Sequence, residues 1–220
     1  MVETAVTTNR ARLSYEHLFR PYAHKPNQEP KYSVTILVPK TDVETKRRID
    51  AAIAAATNAG VSKCWSGAKP PVLAIPVYDG DGVRPNGEHF GAECKGCWVF
   101  TASSKNAPQV VDLSLNPIIN QSEVYSGCYA RVNVNFFPYN SNGKRGIGCG
   151  LNAVQKLEDG EPLGGGISAA EAFGSFGAPA PMPAAPAQPV YNQAPPQGYP
   201  VPPADPYYGV DPITGMPYGG

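Results

Sequence analysis

Charge is scarce in this 220-residue chain: Asp, Glu, Lys and Arg make up 16% of it, and no Lys or Arg follows Lys156. No apolar run approaches the ~18–20 residues that cross a bilayer, so no membrane association is expected. The first twelve residues hold no apolar segment of the secretory kind. Catalytic signatures are missing as well. There is no G-x-x-x-x-G-K-[ST] phosphate loop, no G-x-S-x-G nucleophile elbow and no H-E-x-x-H zinc pair. His17, His24 and His89 stand in unrelated contexts. With no constellation for nucleophilic or phosphoryl chemistry, the chain reads as a non-enzyme that needs no cofactor.

Cysteine is sparse and odd in number: Cys64, Cys94, Cys97, Cys128 and Cys149. That count, without a secretory segment, points to free thiols in a reducing compartment. Cys94-Lys95-Gly96-Cys97 has the spacing of half a zinc ribbon. A structural zinc needs four ligands, and no second pair is present. The cysteines therefore read as small apolar strand residues, with no metal expected. Asp79-Gly80-Asp81-Gly82 reads as a turn rather than a cation site.

Proline, glycine and alanine are abundant but unevenly spread. The last 60 residues hold 14 of the 25 prolines and 10 of the 23 glycines. The sequence thus divides into a globular body, 1–165, and a Pro/Gly/Ala/Tyr-rich tail, 166–220. The tail is too poor in large aliphatics to repay ordering entropy, so disorder is expected there. All 18 basic side chains and 14 of the 18 acidic ones lie at or before residue 159, a net of +4 for the body. The remainder carries Glu161, Glu171, Asp205 and Asp211 with no cation. A basic body with an acidic tail suits a polyanion binder.

Period-2 alternation marks most of the body as strand. Strands are expected at 9–15, 31–38, 70–78, 97–103, 109–113, 127–139 and 143–157. One helix is expected over 41–59. Thr41 or Asp42 caps it, Val43, Ile49, Ile53 and Ala56 give its spacing, and Gly60 stops it. The order is not βαβα. A small antiparallel barrel with one inserted helix fits it best.

On the 127–139 strand, Ala130, Val132, Val134 and Phe136 form the inward set. The outward set is Tyr129, Arg131, Asn133, Asn135, Phe137 and then Tyr139. Aromatics interleaved with a cation and amides suit single-stranded nucleic acid: bases stack on rings, cations meet phosphate, amides meet base edges. Cross-strand packing or a dimer interface is the competing explanation.

The block 124–132 (V-Y-S-G-C-Y-A-R-V), with Asn135-Phe136, Pro138-Tyr139-Asn140, Gly150-Leu151-Asn152-Ala153-Val154-Gln155-Lys156 and Asp159-Gly160-Glu161-Pro162-Leu163-Gly164-Gly165, is distinctive. Pro30-Lys31-Tyr32-Ser33-Val34, Val38-Pro39-Lys40 and Asp79-Gly80-Asp81-Gly82 extend it upstream. Together these resemble the bacteriophage single-stranded DNA-binding proteins, over roughly residues 5–175. The resemblance implies an OB-like barrel that coats single-stranded DNA during phage replication, recombination or repair in the cytoplasm of the infected host. A homo-oligomer, and replication or recombination proteins docking through the tail, are further partner expectations. The tail departs from the dense acidic tip common in such proteins, since it has five tyrosines among few acids.

The expected nucleic-acid residues are Tyr129, Arg131, Phe137 and Tyr139 from the long strand, Lys31 from the second strand, and Lys144 and Arg145 from the glycine-flanked turn. Trp65 and Trp98 are candidate stackers. Arg10, Arg12 and Lys105 are candidate phosphate contacts. The alternative reading is a scaffolding protein that uses the aromatic barrel face and the Tyr/Pro-rich tail for assembly.

Overall fold

The structure is a computed structural model that describes residues 3–23, 26, 28–141 and 143–163. The expected tail, 166–220, lies outside the described residues. Eight strands and one long helix form the body: β1 Ala5–Thr7, β2 Ala11–Tyr22, β3 Lys31–Pro39, α1 Val43–Lys63, β4 Val77–Asp79, β5 Cys97–Ser104, β6 Gln109–Val111, β7 Tyr129–Ser141 and β8 Lys144–Glu158.

Five of the strands close into a ring in the order β2–β3–β5–β8–β7 and back to β2. An odd ring cannot alternate direction all the way round, so one neighbouring pair must be parallel. That pair is β5–β8, joined at the single register Ser103↔Gly150. β6 also pairs with β8 in parallel, so the barrel is antiparallel with two parallel seams. β4 lies beside β5, and just before it Ala74 bridges to Gly146 of β8.

The alternation read from sequence is the barrel's inside and outside. Leu13, Val34, Ile36, Val38, Phe100, Ala102, Ala130, Val132, Val134, Phe136, Leu151 and Val154 are buried in one cluster. Phe100 and Phe136 meet across it, with ring centroids 6.4 Å apart.

Helix α1 contributes Ile49, Ala52 and Ala56 to the same core. The Asp42 side chain caps it by accepting from Thr45 N at 3.0 Å, and Asn9 Nδ2 donates to the same carboxylate at 3.1 Å. The β1–β2 connection is thereby tied to the helix start. Two helix expectations change. Val43 is 70% exposed and belongs to no buried stripe. Gly60 does not stop the helix, which runs on to Lys63. A Cβ on Gly60 would come within 2.6 Å of the Trp65 ring and 2.8 Å of Pro138, so the glycine serves close packing. β2 also runs seven residues past its expected end, and β1 was not foreseen.

Candidate nucleic-acid interface

The outer face of β2, β3, β4 and β5 carries an open groove of about 640 Å³. Cross-strand register sets its floor. Ser14, Thr35 and Thr101 face outward in one row, and His17, Ser33 and Ser103 in the next. The Thr35 and Thr101 hydroxyls are 3.0 Å apart. Between Ser14↔Thr35 and His17↔Ser33, β2 advances three residues while β3 advances two. The extra residue is a bulge, the device that re-aims side chains next to functional sites. Tyr15 sits in it at φ +47°, a left-handed conformation that tyrosine rarely adopts, and its side chain is 63% exposed.

One wall is the loop after β4. Tyr78, opposite Val99, faces the groove, and its ring centroid is 6.2 Å from that of Phe90. The Arg84 guanidinium lies 5.2 Å from the Phe90 ring. Its Nε is buried without a hydrogen-bond partner, and no acidic side chain pairs with it among the described residues. Farther along the face, the His17 and Tyr22 rings stack at 4.5 Å. Lys31 lies opposite Tyr22, and Lys105 pairs with Glu29 at 2.7 Å. The result is a track of rings and cations over a floor of hydroxyls, along about 20 Å of strand from Leu37 to Lys31.

The residues expected from sequence separate into four places. Lys31 and Lys105 border this track. Tyr129, Arg10 and Arg12 cluster at the opposite end of β2, where they clamp the chain after β8. The Arg10 guanidinium lies 3.4 Å over the Tyr129 ring and pairs with Glu158, while Gly160 packs against the ring's edge. Arg12 donates from Nε to Gly127 O and from Nη2 to Glu161 O at 2.6 Å. Tyr125 Oη holds Gly160 by 2.8 and 3.2 Å bonds. Leu163 is set by this strap against Leu37, Cys94 and Val99.

Arg131, Phe137, Tyr139, Lys144 and Arg145 lie on the β7–β8 hairpin. The outward set read from sequence faces out there, but Arg131 is about 20 Å along β7 from Phe137. Its Nε donates to Thr8 O at 3.4 Å. Trp65 is corrected outright. It is 1% exposed, donates from Nε1 to Tyr139 O at 3.1 Å, and is core, unable to stack on a base. Trp98 points inward beside Phe100 and packs on the core, with Lys46 Nζ 4.4 Å and Lys40 Nζ 5.3 Å from its ring.

Comparison with known proteins accords with this geometry. A family model described as the ssDNA-binding protein of Enterobacter phage Enc34 matches residues 4–182. This chain belongs to that family. Among the solved structures, the bacteriophage Enc34 single-stranded DNA-binding protein in complex with ssDNA is 29% identical. That match covers 73% of this chain and 90% of the other, with a TM-score of 0.64. A second structure of the Enc34 protein is 28% identical, covering 76% and 88%, with a TM-score of 0.62. A curated relative, Putative protein p50 of Acyrthosiphon pisum secondary endosymbiont phage 1, is 29% identical over 175 residues, 76% of this chain and 91% of its own length.

Members of the Enc34 family are binding proteins rather than enzymes, and the remaining candidates for chemistry here have structural partners. Lys40 Nζ bridges Asp79 at 2.5 Å and Asp81 at 2.6 Å, and these bonds hold both carboxyls below the usual carboxylate range. Asp81 also accepts from Gly96 N at 2.9 Å, so the turn pins the start of β5. Among the described residues no three His, Cys, Asp or Glu side chains gather to hold a metal. Burial pushes the Cys94 thiol up to about 11 and the Cys149 thiol up to about 12. No helix among the described residues is long and apolar enough to cross a membrane.

The sequence reading missed Tyr15, Tyr78, Arg84 and Phe90. Tyr15 stood at the end of an expected strand, and a bulge leaves no mark in the alternation. Tyr78 and Phe90 flank the turn cluster 79–87 and Arg84 lies within it, and an aromatic on each side with an arginine between was the available signal.

Proposed function

We propose that this chain coats single-stranded DNA through the groove on β2, β3, β4 and β5, without catalysis and largely without regard to sequence. The observation that carries the site is the meeting of Tyr15, Tyr78 and Phe90 with Arg84, a cation whose buried Nε lacks a partner. Rings accept any base by stacking, at roughly 1–3 kcal/mol each. An unpaired guanidinium takes a phosphate by charge-assisted hydrogen bonds. Lys31 extends the phosphate path at one end, and Lys105 joins it when phosphate displaces Glu29. The setting is phage replication, recombination or repair in the cytoplasm of the infected host.

Fluorescence anisotropy of labelled oligo-dT at stepped salt tests this. Wild-type affinity falls with salt, because bound phosphates release counterions. Arg84→Gln weakens binding and flattens the salt slope by about 0.7, the value for one single-strand phosphate. Unchanged affinity in both Arg84→Gln and Tyr15→Ala removes the groove as the site. No binding by the wild type even at low salt favours the scaffolding alternative.

A further inference from the structure

Two stretches of the sequence, 51–78 and 124–157, contain no acidic residue. The fold brings them together. Trp65 Nε1 and Asn140 Nδ2 make bonds of 3.1 and 3.2 Å between the loop after α1 and the β7–β8 hairpin. Gly60 lies against Pro138, and Ala74 bridges Gly146. One end of the barrel is therefore poor in carboxylates, although the Phe136 N–Thr4 O bond brings the exposed Glu3 next to Phe137. That end displays Lys63, Lys69, Lys144 and Arg145, all exposed and none in an ion pair among the described residues.

The register sets Lys144, opposite Ser141, on the same face of the hairpin as Phe137 and Tyr139, and Arg145, opposite Asn140, on the other face. Phe137 stands opposite Gly148 and Tyr139 opposite Gly146 on the outward face of the hairpin. A Cβ on Gly148 would meet the Phe137 ring at 2.6 Å, and one on Gly146 would meet the Tyr139 hydroxyl at 2.7 Å. With no side chain to stand against, each ring lies down over the glycine backbone. Phe137 remains 43% exposed in that position. An accessible ring on the face that carries Lys144, with further cations without ion pairs at the same end, matches the needs of a stacked base and its phosphate. This surface also adjoins the groove: Ala74 at the hairpin and Tyr78 in the groove are four extended residues apart, about 13 Å.

We propose that the hairpin end is a second single-stranded DNA subsite, which takes the strand as it leaves the groove. Lys63, Lys69, Lys144 and Arg145 meet phosphates, and Phe137 stacks a base. The proposal rests on the groove reading, because the strand must first be seated there. A short oligonucleotide fills the groove alone, and a longer one reaches both surfaces.

The test measures affinity of the full chain for oligo-dT of stepped length at about 50 and 200 mM salt. A variant carrying Lys63→Gln, Lys69→Gln, Lys144→Gln and Arg145→Gln keeps wild-type affinity for the shortest oligonucleotides that bind. It loses tenfold or more on long ones at low salt, with a slope shallower by up to about 3. Phe137→Leu loses long-oligonucleotide affinity with the slope intact. The four charges are exposed, so thermal unfolding stays unchanged. Equal loss at every length, no loss at any length, or loss confined to a duplex probe overturns the second subsite. The groove reading fails separately, if Tyr15→Ala and Arg84→Gln leave short-oligonucleotide binding intact.

Discussion

At Tyr15 a strained backbone presents an exposed ring to the proposed groove. Its φ of +47° disfavours any side chain, and the strain sits where a ring is presented to solvent. Tyr15→Gly therefore separates the two effects. Affinity for oligo-dT falls about 5- to 100-fold, the equivalent of ~1–3 kcal/mol for one lost stack. Thermal stability stays at or above wild type, because glycine adopts that φ without strain. Cys149 makes a second residue-scale case. Burial raises its folded pKa from 9.0 to about 12. Its contribution is fully present below pH 9 and is lost as pH rises towards 12, because only the unfolded state readily releases the proton. Melting temperature against pH should fall more gently over that window in Cys149→Ala than in wild type.

Helix α1 illustrates an element whose local rules are overridden by packing. Gly→Ala in a helix interior ordinarily stabilises by about 1 kcal/mol. At Gly60 the added methyl meets Trp65 and Pro138 below 3 Å. Gly60→Ala is expected to destabilise by roughly 1–3 kcal/mol, the range for overpacking, in chemical denaturation. The strap after β8 depends on Arg12 in the same way. Leu163 N donates to Ser126 O at 2.8 Å, and Arg12 holds the neighbouring Glu161 and Gly127 carbonyls. Arg12→Ala should speed hydrogen exchange at the Leu163 amide, while amides inside β3 keep their protection.

For the whole molecule, the proposed binding depends on where cations lack partners. Lys40, Lys46, Lys105 and Lys156 each pair with an acid, whereas Arg84, Lys144 and Arg145 have no ion pair among the described residues. The net +4 of the body thus understates the field at the groove and the hairpin. Residues after 175 contribute few acidic side chains, namely Asp205 and Asp211. Truncation there should tighten oligo-dT binding by a few-fold at most, consistent with ~1 kcal/mol or less of screened competition. A larger gain in the anisotropy titration contradicts that estimate.

Much of this architecture is local chemistry and is readable along the chain. Period-2 alternation settles which side of β3, β5 and β7 faces the core, because successive strand side chains point to opposite faces. Asp42 and the Ala-rich run after it specify α1 from cap and propensity. The carboxylate-poor stretches and the tail composition are also properties of the sequence alone. Other features exist only once distant residues meet. Trp65, with lysines two residues before and four after, looks like a loop stacker, yet a backbone carbonyl 74 residues later accepts a hydrogen bond from its indole N–H. Tyr129 and Arg12 look like a ring and a cation free for DNA, but a strap 149 residues beyond Arg12 occupies its guanidinium. The bulge at Tyr15 is a mismatch of register between two strands, so no single strand encodes it. The groove and the acid-poor end of the barrel arise likewise from barrel closure, which sets side by side segments whose spacing along the chain carries no record of their contact.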